Sequence, residues 1–227
     1  MKKIIIIGGS KGIGSAIIDS LITNHKIINL SRTSPGFEHE NLTHFNCDVL
    51  NDELPPIESA DGLIYCPGSI NLKPFNRLSL DDFRADFEIN VIGAIKAIQT
   101  YTKTLSQSES ASIVLFSTVA TKLGMPFHAS VATAKSAVEG LTKSIAADLA
   151  TKIRVNAIAP TITDTDLAAK FLRNERMMES TIQRHPLKKY LKPTEVAAMA
   201  TYLLSDLSKS ISGQIFNLDC GIVSLKL

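Results

Sequence analysis

Lys3-Ile4-Ile5-Ile6-Ile7-Gly8-Gly9-Ser10-Lys11-Gly12-Ile13-Gly14 is the stretch from which the fold can be read. Its first five residues form a continuous, mostly β-branched apolar run, the pattern of a strand buried on both faces in a parallel sheet. A glycine-rich turn follows at once, and over 15–23 apolar residues recur at helical spacing. Strand, glycine-rich turn and helix in that order make an anion site. The glycines let backbone approach a pyrophosphate, and the helix N-terminus presents the positive end of its dipole.

Outward from this unit the alternation continues. Strand-like runs occupy 26–30, 42–47, 62–66, 112–117, 153–158 and 214–218, and helical patterns fall at 80–105, 130–150, 165–183 and 194–204. Strands alternating with helices imply βαβ units, so the expected fold is α/β, one doubly wound parallel sheet of about seven strands with helices on both faces. There is no internal repeat or low-complexity linker, and Pro55-Pro56 marks a local turn. The whole chain, 1–227, reads as one Rossmann-type domain.

Composition excludes several classes. With 24 basic and 22 acidic residues and 44% hydrophobic content, the chain is near neutral and globular, not disordered. No Lys/Arg run suggests a nucleic-acid or membrane-surface partner. No apolar stretch approaches the ~18 residues of a membrane helix, and the isoleucine run is too short for a secretory signal. Three cysteines, Cys47, Cys66 and Cys220, without C-x-x-C spacing suit a reducing cytoplasm. The five histidines show no paired ligand spacing, and no metal site is expected.

The end of the second strand decides which nucleotide is expected. An acidic residue there would hold a ribose 2′-OH. Here Ser31-Arg32 stand instead, and Lys11 lies in the glycine turn. Two cations and a hydroxyl suit a 2′-phosphate, so NADP(H) is the expected cofactor.

Further stretches extend the pattern over nearly the whole chain: Asp48-Val49, Tyr65-Cys66-Pro67-Gly68, Ile89-Asn90-Val91, Arg154-Val155-Asn156-Ala157-Ile158-Ala159-Pro160, then Thr163 and Thr165, and Gly213-Gln214 with Asp219. Together they resemble the short-chain dehydrogenase/reductase family. In that resemblance Gly8, Ser10, Lys11, Gly12, Ile13 and Gly14 match the T-G-x-x-x-G-I-G loop, with Gly8 in place of Thr. Asp48 and Val49 match the pair at the adenine, and Cys66, Pro67 and Gly68 stand within the family's N-N-A-G. Pro160, Thr163 and Thr165 fall where the family contacts the nicotinamide half. The resemblance implies an oxidoreductase moving hydride between NADP(H) and a small carbonyl or alcohol. It also implies a homodimer or homotetramer formed through helices 80–105 and 130–150.

The family's chemistry uses an Asn, a Ser or Thr, and a Tyr followed four residues later by a Lys. Residues four apart share a helix face, which lets Tyr and Lys act together. Asn90, Thr118 and Lys135 match three of these roles, but Val131 stands at the tyrosine position, and no tyrosine lies between Tyr101 and Tyr190. Valine has no proton to give, and general acid catalysis is commonly worth about 10²–10⁴ in rate.

Three readings follow. His128, three residues before Val131, replaces the acid, since histidines commonly exchange protons near neutral pH, or Lys135 relays the proton itself. Alternatively the reaction needs no tyrosine. Or catalysis is lost, and the chain is an NADP(H)-binding sensor or partner subunit. Beyond residue 165, Phe171, Leu172, Met177 and Met178 with Arg173, Arg176 and Arg184 read as a substrate loop. Its cations are read as a solvated helix face rather than as a lid for an acidic substrate. Cys66 reads as a packed small residue, not a nucleophile.

Overall fold

Every residue of the isoleucine run is used. Lys3–Ile7 is β1, paired in parallel with β2 (Lys26–Ser31) on one side and β4 (Gly62–Tyr65) on the other. Ile5 and Ile7 enter one apolar core while Ile4 and Ile6 enter a second core across the sheet. All four are at most 2% exposed. Burial of such side chains contributes about 1.5–3 kcal/mol each.

The computed structural model describes residues 1–226. It adds β3 (Leu42–Asn46), β5 (Ala111–Phe116), β6 (Ile153–Pro160) and β7 (Ile215–Leu218) to give one parallel sheet of order β3-β2-β1-β4-β5-β6-β7. Helices cover both faces, as expected from the alternation. The order reverses between β1 and β4, and in doubly wound sheets ligands occupy the crevice at such a reversal, outside the carboxyl ends of the strands.

The first helix, α1 (Gly12–Leu21), buries Ile17, Ile18 and Leu21 in the core that also holds Ile4 and Ile6. A side chain at Gly14 would collide with the Gly8 carbonyl, so the turn and α1 approach as closely as glycine alone allows.

One long helix was expected over 80–105, and the structure divides it. α2 (Leu80–Phe87) starts on a Ser79–Asp82 capping box. A π-helical turn, Glu88–Ile92, follows, and α3 (Gly93–Leu105) continues from it. The reason lies on β4: the Tyr65 hydroxyl donates to the Ile89 carbonyl at 2.6 Å, and a methyl group at Gly93 would collide with that hydroxyl. Single π-turns inside helices are frequent at functional sites, and this one carries Asn90. The helix expected at 130–150 is α4 (Ala129–Asp148). The segment expected at 165–183 splits into a 3₁₀ stretch, Asp166–Phe171, and α5 (Glu175–Arg184), which Asn174 caps through Met177 N–H. α6 (Pro193–Leu204) completes the set.

Tyr65→Phe removes the bond that supports the π-turn and leaves a carbonyl unpaired. The expected loss is about 1–3 kcal/mol of unfolding free energy in urea. An unchanged midpoint would show that the π-turn does not depend on this hydroxyl.

Candidate active site at the sheet reversal

The glycine turn is built as an open cradle. Gly8 and Gly12 sit at φ +77° and +56°, the left-handed region that suits glycine. Gly9 N–H donates to Asn29 Oδ1 at 2.9 Å, anchoring the turn to β2. Lys11 precedes α1 in extended conformation, and no side chain caps the helix's first N–H groups. Uncapped N–H groups with the helix dipole behind them favour an anion. The Pro67 ring packs on Gly8, and Thr165 Cγ2 lies beside Gly12. The loop after β6 and the loop after β4 therefore both meet the turn, as their matching to cofactor-binding segments implies.

At the end of β2 the structure rearranges the expected hydroxyl. Ser31 is buried, and its Oγ accepts from Asn29 Nδ2 and donates to Thr33 O, both at 2.9 Å. The exposed hydroxyl is Thr33, which donates to Ser10 Oγ at 3.1 Å and ties the segment carrying Arg32 to the one carrying Lys11. Asp48 accepts from the Leu50 N–H and Asn51 Nδ2, and these bonds, with the nearby Arg32 charge, hold its carboxyl below the usual range. Val49 beside it is buried.

The carboxyl ends of β4, β5 and β6 open onto a cavity of about 500 Å³, lined among others by Gly68, Ser69, Thr118, His128, Val131 and Lys135. Lys135 and Val131 share the buried face of α4. Lys135 Nζ donates to Phe116 O at 2.9 Å. Burial lowers the ammonium from the ordinary 10.5 to about 8. Burial likewise pushes the Cys66 thiol up to about 12, consistent with a packed rather than a nucleophilic cysteine. Thr118 caps a short 3₁₀ turn, Val119–Thr121, by accepting from Ala120 N–H. His128 stands at the start of α4 with Nδ1 2.7 Å from Pro126 O. A carbonyl only accepts, so Nδ1 carries the proton and Nε2 is the free ring nitrogen.

Asn90 donates through Nδ2 to Asp86 O at 2.7 Å and to Ser69 Oγ at 3.0 Å. Among the described residues its Oδ1 is buried without a partner. A methyl group at Gly68 would stand 3.1 Å from that Oδ1 and 3.3 Å from Lys135 Nζ, so the two polar atoms flank the same glycine. An orphaned acceptor beside a buried ammonium, with the uncapped α1 N-terminus, fits a dinucleotide laid across the crevice.

On the other wall, Pro160 ends β6, Thr163 donates to Thr161 O at 3.0 Å and Thr165 to Thr163 O at 3.3 Å. Arg176 and Arg184 line the cavity from exposed positions on α5, whereas Arg173 does not contribute.

Sequence reading missed three polar groups next to this cavity: Ser69, Asp86 and Ser130, joined by hydrogen bonds. The available signal was the spacing of Asp86 and Asn90, four residues apart and therefore on one helix face.

The fold and the cradle define a nucleotide-binding doubly wound protein. Residues 50–223 match the family model described as enoyl-(acyl carrier protein) reductase, and the chain belongs to the short-chain dehydrogenase/reductase family. It is similar to 2,5-dichloro-2,5-cyclohexadiene-1,4-diol dehydrogenase of Sphingobium indicum, 27% identical over 99% of this chain and 98% of that one. Among solved structures, 4-hydroxyisoleucine dehydrogenase complexed with NADH superposes with a TM-score of 0.89 at 26% identity, covering 100% of both chains. ElxO with NADP bound superposes with a TM-score of 0.87 at 25% identity, over 99% of this chain and 100% of that one. No helix among the described residues is long and apolar enough to cross a membrane.

The lowered Lys135 value carries a sign. Below about 8 both folded and unfolded states hold the proton, and the full cost of burying the ammonium is present. Between about 8 and 10.5 only the unfolded state holds it, so stability rises with pH and the cost is gone above 10.5. The cofactor-free protein should therefore gain stability relative to Lys135→Met across that window in urea unfolding. A constant difference between the two would contradict burial of the charge.

Proposed function

We propose that this protein is an NADP(H)-dependent oxidoreductase that moves hydride between the nicotinamide and a small carbonyl or alcohol. The observation that supports it best is the convergence of Thr118 and Lys135 on one cavity at the sheet reversal, with Asn90 Oδ1 beside the Gly68 that lines it. Gly8, Ser10, Gly12, Ile13 and Gly14 would hold the pyrophosphate, and Asp48 with Val49 the adenine. Cys66, Pro67, Gly68, Pro160, Thr163 and Thr165 would surround the nicotinamide half. Lys11, Arg32 and, in place of the inward-turned Ser31, Thr33 would take the 2′-phosphate, a charge-assisted set.

The cofactor, when bound, supplies or accepts the hydride. Thr118 would donate to the substrate oxygen, Lys135 would bind the nicotinamide ribose, and Asn90 Oδ1 would accept from an ordered water. His128 would serve as a proton donor through Nε2 from the cavity wall only with both ring nitrogens protonated, because the Pro126 carbonyl already holds the Nδ1 proton. Val131 supports a second reading, an NADP(H)-binding sensor or partner subunit without turnover. We place the protein in the cytoplasm as a one-domain subunit of a homodimer or homotetramer, and a monomeric mass in light scattering would exclude the assembly.

NADPH should bind about tenfold or more tightly than NADH in a fluorescence titration, and Arg32→Ala should largely erase the difference, as for one charge-assisted hydrogen bond. Equal affinities in the wild type would defeat the assignment. Turnover of a carbonyl panel by the wild type supports the oxidoreductase, whereas turnover by Val131→Tyr alone supports the second reading.

A further inference from the structure

We propose that Asp86, acting through the Ser69 hydroxyl, supplies and removes the proton that the tyrosine position no longer can. This rests on the hydride-transfer reading above.

Asp86 is the one buried residue of α2 and is only 2% exposed. Among the described residues it has no ion-pair partner within salt-bridge distance. A buried carboxylate is costly unless its oxygens are well occupied. Here each oxygen takes one hydroxyl. Ser69 Oγ donates to Oδ1 and Ser130 Oγ donates to Oδ2, both at 2.5 Å, the length of strong charge-assisted bonds.

The three residues come from three elements. Ser69 follows the Gly68 that Asn90 Oδ1 and Lys135 Nζ flank, and it lines the cavity. Ser130 is on α4, one residue before Val131 and about 100° around the helix from it, so its bond ties the carboxylate to the helix that carries the vacant tyrosine position. Lys135, also on α4, is the cation whose charge couples to Asp86.

Ser69 is wired as a relay. Its Oγ accepts from Asn90 Nδ2 at 3.0 Å and donates to Asp86, one bond in and one bond out, and the residue itself lines the cavity. A network needed only to pack α2 on α4 would do as well with apolar residues of similar volume. His128, in contrast, is tied to Pro126 O at the partly exposed start of α4 and also borders a second, shallower hollow.

The step balances. In alcohol oxidation the C–H hydride leaves to the oxidised nicotinamide, the substrate O–H proton passes to Ser69 Oγ, and the Ser69 proton passes to the Asp86 carboxylate. The C–O bond becomes C=O, and Asp86 ends as the carboxylic acid. In carbonyl reduction the same bonds run in reverse, and Asp86 regains its proton from water through Ser69. Ser69 touches the substrate oxygen and is the catalytic residue. Asp86 acts through it and Ser130 holds the carboxylate in place.

The test uses the full chain with NADPH and two probes, an α-diketone and an aromatic aldehyde. Asp86→Asn and Ser69→Ala are expected to lower kcat by about 100-fold. KM and NADPH affinity by fluorescence should be essentially unchanged, and the solvent deuterium isotope effect on kcat should increase as proton transfer becomes limiting. Asp86→Glu should recover part of the loss. A separate readout needs no turnover: in the cofactor-free protein, the infrared carboxylate band absent from Asp86→Asn should shift in Ser69→Ala. If Asp86→Asn fails to fold, Ser69→Ala carries the test, since Ser69 lines the cavity and is less buried than Asp86. Wild-type kcat in Ser69→Ala, an unmoved infrared band, or a larger loss in His128→Ala than in Asp86→Asn would each overturn the relay. A silent wild type beside an active Val131→Tyr also overturns it, because cavity and cofactor are then competent and the proton is missing. If both are silent while NADPH still binds, the oxidoreductase reading fails and the relay falls with it.

Discussion

Burial of β1 on both faces is the constraint from which the rest of the structure follows. Four isoleucines alternate between two cores, so helices must cover both faces of the sheet. Parallel pairing with β2 on one side and β4 on the other then makes the end of β1 the reversal point of the strand order. The glycine turn stands at that end because the chain must leave the sheet there and start a helix within a few residues. The collision that any side chain at Gly14 would have with the Gly8 carbonyl shows how close that approach is. Cradle geometry and core packing are thus one requirement.

A second dependency runs through polar groups at depth. Tyr65 ends β4, and its hydroxyl occupies the Ile89 carbonyl, so the helix opens into a π-turn. That turn sets Asn90, which bonds Ser69 and the Asp86 backbone and leaves Oδ1 free beside Lys135. Burial raises the Tyr65 hydroxyl well above the usual phenol value, so it stays a neutral donor at physiological pH. A packing contact on the sheet and the orientation of a polar side chain in the cavity are therefore parts of one chain of bonds.

β1, β4 and β5 were legible because a doubly buried strand leaves a nearly unbroken apolar run, and a glycine turn marks the end of β1, whereas the edge strands β3 and β7 are less buried and carry polar residues. The division of 80–105 was not, because the residues on either side of the π-turn keep helical periodicity, and its cause is a tyrosine from a distant strand. Lys135, Thr118 and Asn90 could be placed by their spacing within the family pattern. Ser31 could not, because whether a strand-end hydroxyl faces inward depends on Asn29 beside it. Asp86, Ser69 and Ser130 were hidden for a different reason: they lie 17 and 44 residues apart in pairs, and tertiary packing alone joins them. Arg176 and Arg184 read as solvated charges. They are exposed, yet they also form part of the cavity wall.

Val131 gives the cavity wall an apolar side chain on the same buried helix face as Lys135. An apolar neighbour gives the Lys135 ammonium no compensation, and burial is the largest cause of its lowered value. The opposing effects come from Cys66 and Asp86. A buried thiol pushed up to about 12 remains neutral and offers little. The Asp86 carboxylate is consequently the acidic group positioned to balance Lys135, and its two serine bonds tie it to the loop after β4 and to α4. The same carboxylate thus supplies a counter-charge for the lysine and is joined to the cavity by the Ser69 hydroxyl.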